Sequence, residues 1–353
     1  MSKFLSNTKN TLTAYVPGEQ PQDKKYVKLN TNESPYPTSK KAVKYANKVA
    51  KKLQLYPDPE VKKLVKALAE LNDVNEENIL TANGSDEVLN FIFMAFCDTE
   101  KQVVFPDITY GFYPVFAKLN NVHYSEIPLT ENFEINVNDY IGINKNIFIA
   151  NPNAPTGITL STDEIESIVK SNPNNVVVID EAYVDFGAES AVPLTKMYDN
   201  LIVVQTFSKS RSMAGARLGF CVANKSLIDD LKLIKYSVNP YNVNAMTYFA
   251  GVGVLLDNDY TIKNCKKIME TREFVVQELY SMNFEVLPSL ANFIFCKNDK
   301  ISGKDLYEKL KEKGVLVRYF SKDRIKDFVR VTIGSNKQMK TFIQKTKEIL
   351  ENL

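Results

Sequence analysis

Residues 147–180 read IFIANPNAPTGITLSTDEIESIVKSNPNNVVVID. Two short apolar runs, Ile147–Ala150 and Val176–Ile179, each end at a polar or proline-containing turn and read as strands buried on both faces. Between them Ser161 and Glu164 have capping-box spacing, and Ile165, Ile168 and Val169 recur at helical intervals. The stretch is therefore a strand, helix, strand unit. Val103–Phe105 upstream and Leu201–Val204 downstream repeat the buried-strand pattern. The fold class expected is α/β, with a mostly parallel, doubly wound sheet that binds ligands beyond the carboxyl ends of its strands.

Beyond about Gly251 the pattern changes to long charged helices, such as Asn258–Met282, alternating with strands near Asn292–Cys296 and Val329–Ile333. A chain of 353 residues exceeds what one compact core usually serves. The expected division is a large domain over 40–250, with a smaller α+β domain over 251–353 joined by an arm over 1–39. The arm is rich in proline, asparagine and tyrosine, which disfavour regular helix.

Composition removes several function classes. The 44 basic and 42 acidic residues nearly cancel and the lysines are dispersed, so no nucleic-acid footprint follows. The opening MSKFLSNTKN lacks the apolar core of a signal peptide, and no apolar run approaches the length of a membrane span. A cytoplasmic protein is expected. Cys97, Cys221, Cys265 and Cys296 form no C-x-x-C pair, so reduced, buried thiols are expected instead of zinc ligands or disulfides. The single histidine, His123, rules out a multi-histidine metal site, and its segment NNVHYSEI reads as a short strand with a structural or surface histidine.

Three successive strands finish in groups suited to one aromatic, phosphorylated ligand: Asn151, Asp180, and Ser208 with Lys209. A lysine just past a buried strand can form an imine with a carbonyl, although a lysine taken alone is far more often a solvated loop charge, and only its context decides. Asp180 follows four β-branched residues, so its carboxylate needs a cationic or hydrogen-bonding partner, whether a pyridinium nitrogen or a salt bridge within the protein. Gly84, Ser85 and Asp86 open a helix with an apolar face of Val88, Phe91, Ile92, Ala95 and Phe96, and its free N–H groups suit a phosphate. Arg217, eight residues beyond Lys209, suits a second contact to that anion, although an arginine taken alone is more often a surface charge. In FVRVTIG, strand alternation sets Arg330 and Thr332 on one face, where the arginine requires an anion from a substrate or from the protein.

Together LTAYVPGEQ, KLNTNESPYP, LYPDPE, TANGSDEV, FPDITYGFY, NPNAPTG, VVVIDEAYVDF, TFSKSRSMAGARLGF, YNVNAM and VRVTIG resemble the aspartate-aminotransferase-like (fold type I) pyridoxal-phosphate enzymes. Within that group they are most similar to the histidinol-phosphate aminotransferases. The resemblance implies pyridoxal 5'-phosphate joined to Lys209, with Asp180 on the pyridine nitrogen, Asn151 and Tyr183 on the ring hydroxyl, and Tyr110 stacked on the ring. It places Gly84, Ser85, Asp86, Ser208 and Arg217 at the phosphate, together with Tyr56 from a second subunit, and so implies a homodimer with shared sites. Arg330 would grip the substrate's anionic group, and Tyr15, Asn32 and Arg318 would line the substrate end.

The reaction so implied moves the amino group of histidinol phosphate to 2-oxoglutarate, giving imidazole acetol phosphate and glutamate, a step of histidine biosynthesis. The family's N-E-N-P-Y-G-P reads N-E-S-P-Y-P-T here, and the lysine loop carries Ser210, Arg211 and Ser212 where small or apolar residues are common. These departures bear on substrate choice. Aromatic amino acid transamination and threonine-phosphate decarboxylation are the alternatives, and a non-catalytic ligand sensor is the reading from another class. A dehydrogenase would share the sheet, yet no G-x-G-x-x-G follows an expected strand.

Overall fold

The computed structural model describes residues 2–6, 9 and 12–353. Of the opening segment, Met1, Asn7, Thr8, Asn10 and Thr11 lie outside the described residues. In chain order the first half contains β1 (Val27–Lys28), α1 (Lys40–Ala50), α2 (Lys62–Asn72), β2 (Ile79–Ala82), α3 (Ser85–Phe96), β3 (Val103–Pro106), α4 (Tyr113–Leu119), β4 (Tyr124–Ile127) and β5 (Asn146–Ala150). Then come α5 (Thr162–Ser171), β6 (Val177–Asp180), β7 (Leu201–Thr206), β8 (Gly219–Ala223), α6 (Lys225–Val238), α7 (Ala245–Leu255) and α8 (Asn258–Ser281). The chain closes with β9 (Phe284–Val286), β10 (Phe293–Asn298), α9 (Gly303–Glu312), β11 (Val315–Leu316), β12 (Arg318–Tyr319), β13 (Val329–Thr332) and α10 (Asn336–Leu350).

Seven strands form the main sheet in the order β2-β8-β7-β6-β5-β3-β4. Neighbours from β7 to β4 pair in parallel, and β8 alone runs against β2 and β7. The strands lack polar alternation because both faces are covered. Ile147, Ile149, Val177, Ile179, Leu201 and Val203 pack with residues of α2, α5 and α7 on one face. Phe148, Val178, Ile202 and Val204 pack with α3, α4 and α6 on the other. This placement also explains why α3 buries Leu89 and Phe93 beside the expected Val88, Phe91 and Ile92, while Ala95 and Phe96 are only partly covered.

The capping box of α5 is formed as the sequence requires: Ser161 Oγ accepts from the Glu164 N–H, and Glu164 reaches back to the Ser161 N–H at 2.8 Å. A smaller antiparallel sheet, β12-β13-β10-β9, is backed by α8, α9 and α10 around a second core containing Ile268, Val275, Phe293, Val329 and Phe342. β1, from the N-terminal arm, pairs with β11 beside this second core. All four cysteines are free and buried, and His123 is exposed.

Candidate active site

Parallel pairing sets Ala150 opposite Asp180, and Asp180 opposite Val204, so the carboxyl ends of β5, β6 and β7 open on one side of the sheet. A cavity of about 470 Å³ lies there, with Asp86, Tyr110, Asp180, Tyr183, Ser208, Lys209 and Arg217 on its walls. Residues far apart in sequence converge because the sheet topology makes them neighbours.

Asp180 is 4% exposed, and no basic side chain forms an ion pair with it among the described residues. Its oxygens accept from the Tyr113 hydroxyl at 3.2 Å and the Ala182 N–H at 3.2 Å. Burial pushes its carboxyl up to about 7, against the opposing influence of those two donors and the nearby Lys209 charge. A buried carboxylate left in this state fits a cationic ring nitrogen arriving in the cavity. Lys209 sits on the same cavity with Nζ donating to the Thr31 carbonyl at 3.2 Å. Its ammonium also lies 5.7 Å from the centre of the Tyr183 ring.

The phosphate end is built around the start of α3. Gly84, its N-cap, has φ +93°, a conformation that L side chains rarely adopt, and a Cβ there would come within 2.5 Å of an Arg217 nitrogen. A Cβ on Gly219 would collide with the backbone of Gly84 and Ser85, so β8 runs directly against this turn. Arg217 donates to Asp86 Oδ2 at 2.9 Å and to Ser208 Oγ at 3.4 Å, and Tyr110 donates to Asp86 Oδ1 at 2.6 Å. The free N–H groups of the helix start, one hydroxyl and one guanidinium thus form a donor set suited to a phosphate.

The other end faces the small sheet. Antiparallel register places Arg318 directly opposite Arg330, a like-charged pair that favours an anion between or beside the two guanidinium groups. Among the described residues the Arg330 side chain gives one hydrogen bond, from Nη2 to the Asn30 carbonyl at 3.2 Å, and its Nε is buried without a partner. Arg318 is tied to the Val16 and Pro17 carbonyls of the arm, and Tyr15 stacks on Phe112 at 4.2 Å. Thr332 shares the face of Arg330 and bonds to Asn32, whose side-chain amide reaches the Tyr183 hydroxyl at 3.0 Å.

Of the residues expected at the cofactor, Asn151 and Tyr56 stand apart from the cavity, and Gly84 lies behind its wall. Asn151 does not reach it: its amide is closed on Leu160, accepting from the N–H at 2.7 Å and donating to the carbonyl at 3.1 Å. The neighbouring Asn153 is likewise held by Thr109, Ile108 and Thr156, so from this turn the methyl of Ala154 lines the wall instead. Backbone satisfaction in a tight turn outcompetes the ligand for these amides. Tyr56 is 80% exposed and stacks on Tyr241 at 4.5 Å, away from this chain's own cavity. Tyr113 and the Thr31 carbonyl escape sequence reasoning. Tyr113 carries the one signal available, three residues after Tyr110 on the turn entering α4.

Residues 24–345 match the model of the class I and II aminotransferases. The chain belongs to that family. It is similar along its whole length to the histidinol-phosphate aminotransferase of Brachyspira hyodysenteriae, with 50% identity and all of both chains covered. The histidinol-phosphate aminotransferase of Clostridium botulinum strain Kyoto is 46% identical, again over all of both chains. The fold is that of the histidinol-phosphate aminotransferase from Sinorhizobium meliloti solved with pyridoxal 5'-phosphate, at a TM-score of 0.90 and 19% identity, covering 100% of this chain and 99% of the other. No helix among the described residues of this aminotransferase is long and apolar enough to cross a membrane.

Proposed function

We propose that this aminotransferase works with pyridoxal 5'-phosphate held covalently by Lys209, taking its amino group from histidinol phosphate and passing it to a 2-oxo acid such as 2-oxoglutarate. The observation that carries the cofactor assignment is Asp180, a buried carboxylate that has no basic ion-pair partner among the described residues and lies on the same cavity as a lysine. A pyridinium nitrogen at ~4 Å would interact with it by on the order of 4 kcal/mol at an effective dielectric near 20. When bound, the cofactor supplies an electron-withdrawing ring that acidifies the α-carbon of an attached amine.

The protein's own groups do the remaining work. Lys209, freed when the incoming amine takes its place, would accept the proton from the substrate's α-carbon and give it back on the far side of the amine nitrogen. Tyr183 would face the ring hydroxyl, Tyr110 would stack on the ring, and Gly84, Ser85, Asp86, Ser208 and Arg217 would hold the phosphate. Asn151, engaged with Leu160, takes no part in this assignment. Arg330, with an unpartnered buried Nε and Arg318 opposite, grips the substrate's anionic group, and Tyr15 and Asn32 flank that end. Histidinol phosphate is favoured as donor by the full-length relatives of that name.

The exposed Tyr56, stacked on Tyr241 and close in sequence to the exposed Leu53 and Leu55, supports a homodimer in which it reaches the partner's phosphate site. The pairing of β1 with β11 supports grouping 1–39 with 251–353 against the large domain 40–250. A cytoplasmic location fits the biosynthetic chemistry of the relatives.

The test is single turnover of the cofactor-loaded enzyme with histidinol phosphate, phenylalanine, tyrosine and threonine phosphate. Rapid conversion of histidinol phosphate is expected, and conversion of the aromatic amino acids alone would overturn the donor assignment. Lys209→Ala should lose the visible absorbance of the covalently held cofactor.

A further inference from the structure

We propose that Asn32 is a positioning residue that fixes the direction of the Tyr183 hydroxyl, making it a proton donor toward the cofactor's ring oxygen; this rests on the placement of Lys209 and Tyr183 proposed above. The direction follows from counting protons along a buried chain of hydrogen bonds. The Asn32 backbone N–H donates to Thr332 Oγ1 at 2.9 Å, so the threonine oxygen is already an acceptor there. Its own proton goes to Asn32 Oδ1, at 3.0 Å. With Oδ1 used as the acceptor, the nitrogen of the amide faces Tyr183 and donates to its oxygen at 3.0 Å.

That bond is the one the Tyr183 hydroxyl makes among the described residues, which leaves the phenolic proton for an acceptor in the cavity that Tyr183 lines. The amide is held firmly. Asn32 is 1% exposed, its carbonyl accepts from Asn292 Nδ2 at 3.0 Å, and its φ of 55° is one that asparagine tolerates better than most residues. The Tyr183 ring is wedged edge-on against Phe293, with centroids 5.0 Å apart.

The arrangement matters because the NPNAPTG turn offers no amide here. Asn151 and Asn153 are engaged elsewhere, and Ala154 presents a methyl group to the cavity. Tyr183 is then the donor on this side, and its orientation sets how much negative charge the ring oxygen can carry. A donor aimed at that oxygen stabilises its anionic form. Without that donor the cofactor-loaded enzyme would hold the proton of its Lys209 linkage more tightly.

The experiment is a pH titration of the visible absorbance of the cofactor-loaded enzyme, alongside its melting temperature. Asn32→Asp keeps the shape but, once ionised, offers Tyr183 only acceptors and draws the phenolic proton away from the cavity. Its midpoint should rise by about one pH unit, a tenfold change in proton affinity. Tyr183→Phe should rise by a similar amount, and the double variant no further, since Asn32 acts through Tyr183. Asn32→Ala, which frees the hydroxyl to rotate, covers the case in which the buried carboxylate prevents folding, and its midpoint should rise as well.

A lower melting temperature with an unmoved midpoint in both Asn32 variants, while Tyr183→Phe still shifts, would mean a merely structural asparagine and overturn the inference. If Lys209→Ala keeps its colour, the underlying cofactor reading fails instead. The two failures are separable.

Discussion

Arg217 and Asp86 form an ion pair at the phosphate end of the cavity, Nη2 to Oδ2 at 2.9 Å, with Tyr110 donating to the other carboxylate oxygen. The pair holds the guanidinium beside the N-terminus of α3, in the place where an anion gains most from the helix donors. A charge-assisted hydrogen bond is worth about 1.5 to 3 kcal/mol. Arg217→Met should therefore weaken pyridoxal phosphate binding by roughly 10- to 150-fold, measured by titrating the cofactor-free protein. Arg217→Lys should recover only part of the loss, because an ammonium cannot bridge phosphate and Ser208 together. Equal affinity in wild type and Arg217→Met would remove Arg217 from the phosphate site.

Asp180 predicts a stability signature in the cofactor-free protein. Its carboxyl is pushed up to about 7 from an ordinary value of 3.8. Between those values the folded state keeps a proton that the unfolded state has released, so stability falls as pH rises through the window and levels off above it. Asp180→Asn lacks this loss. Its stability advantage over wild type should grow by on the order of 2 kcal/mol between pH 5 and pH 8, read from urea midpoints. With cofactor bound the order should reverse, because asparagine cannot pair with a cationic ring nitrogen. A pH-independent difference between the two cofactor-free proteins would contradict the burial argument.

Four strands of the main sheet were legible because each carries its own burial on both faces, and Ile147–Ala150 and Val176–Ile179 therefore read as strands without help from their neighbours. Lys209, Asp180 and Arg217 were legible for a related reason: topology fixes where a strand end points, and all three meet the cavity. Asn151 lies off the cavity because side-chain direction in a turn depends on which backbone groups are left unpaired, and those it meets, of Leu160, lie nine residues further on. Tyr113 and Asn32 act through hydrogen bonds across separations of 67 and 151 residues, which no local pattern encodes.

Arg211, the departure in the lysine loop, is an ion-pair member whose two partners should differ in cost. Its guanidinium side chain is 5% exposed and donates to Asp185 Oδ2 at 2.8 Å, while the Asp185 side chain is 35% exposed. Ser210 also donates to Asp185, and the guanidinium lies 5.2 Å from the centre of the Phe207 ring. Removing Asp185 strands a buried cation, whereas removing Arg211 leaves a carboxylate that water can reach. Asp185→Ala should cost about 2 to 3 kcal/mol, and adding Arg211→Met should restore most of that loss because methionine packs on Phe207 without a charge. Chemical denaturation of the single and double variants gives the comparison, and additive losses would sink it.

Tyr56 lies off this chain's cavity, so its proposed role depends on a second copy. A Lys209→Ala chain retains Tyr56 to lend, and a Tyr56→Ala chain retains the lysine site to receive it. Each homodimer should be impaired, the first abolished and the second weakened in cofactor affinity. In a mixed dimer one of the two sites regains both residues, so subunit exchange should restore turnover and one tight cofactor site per dimer. The recovery should follow the rate of subunit exchange. If mixing restores nothing although mixed dimers form, Tyr56 does not cross to the partner, and its stacking on Tyr241 is only local packing.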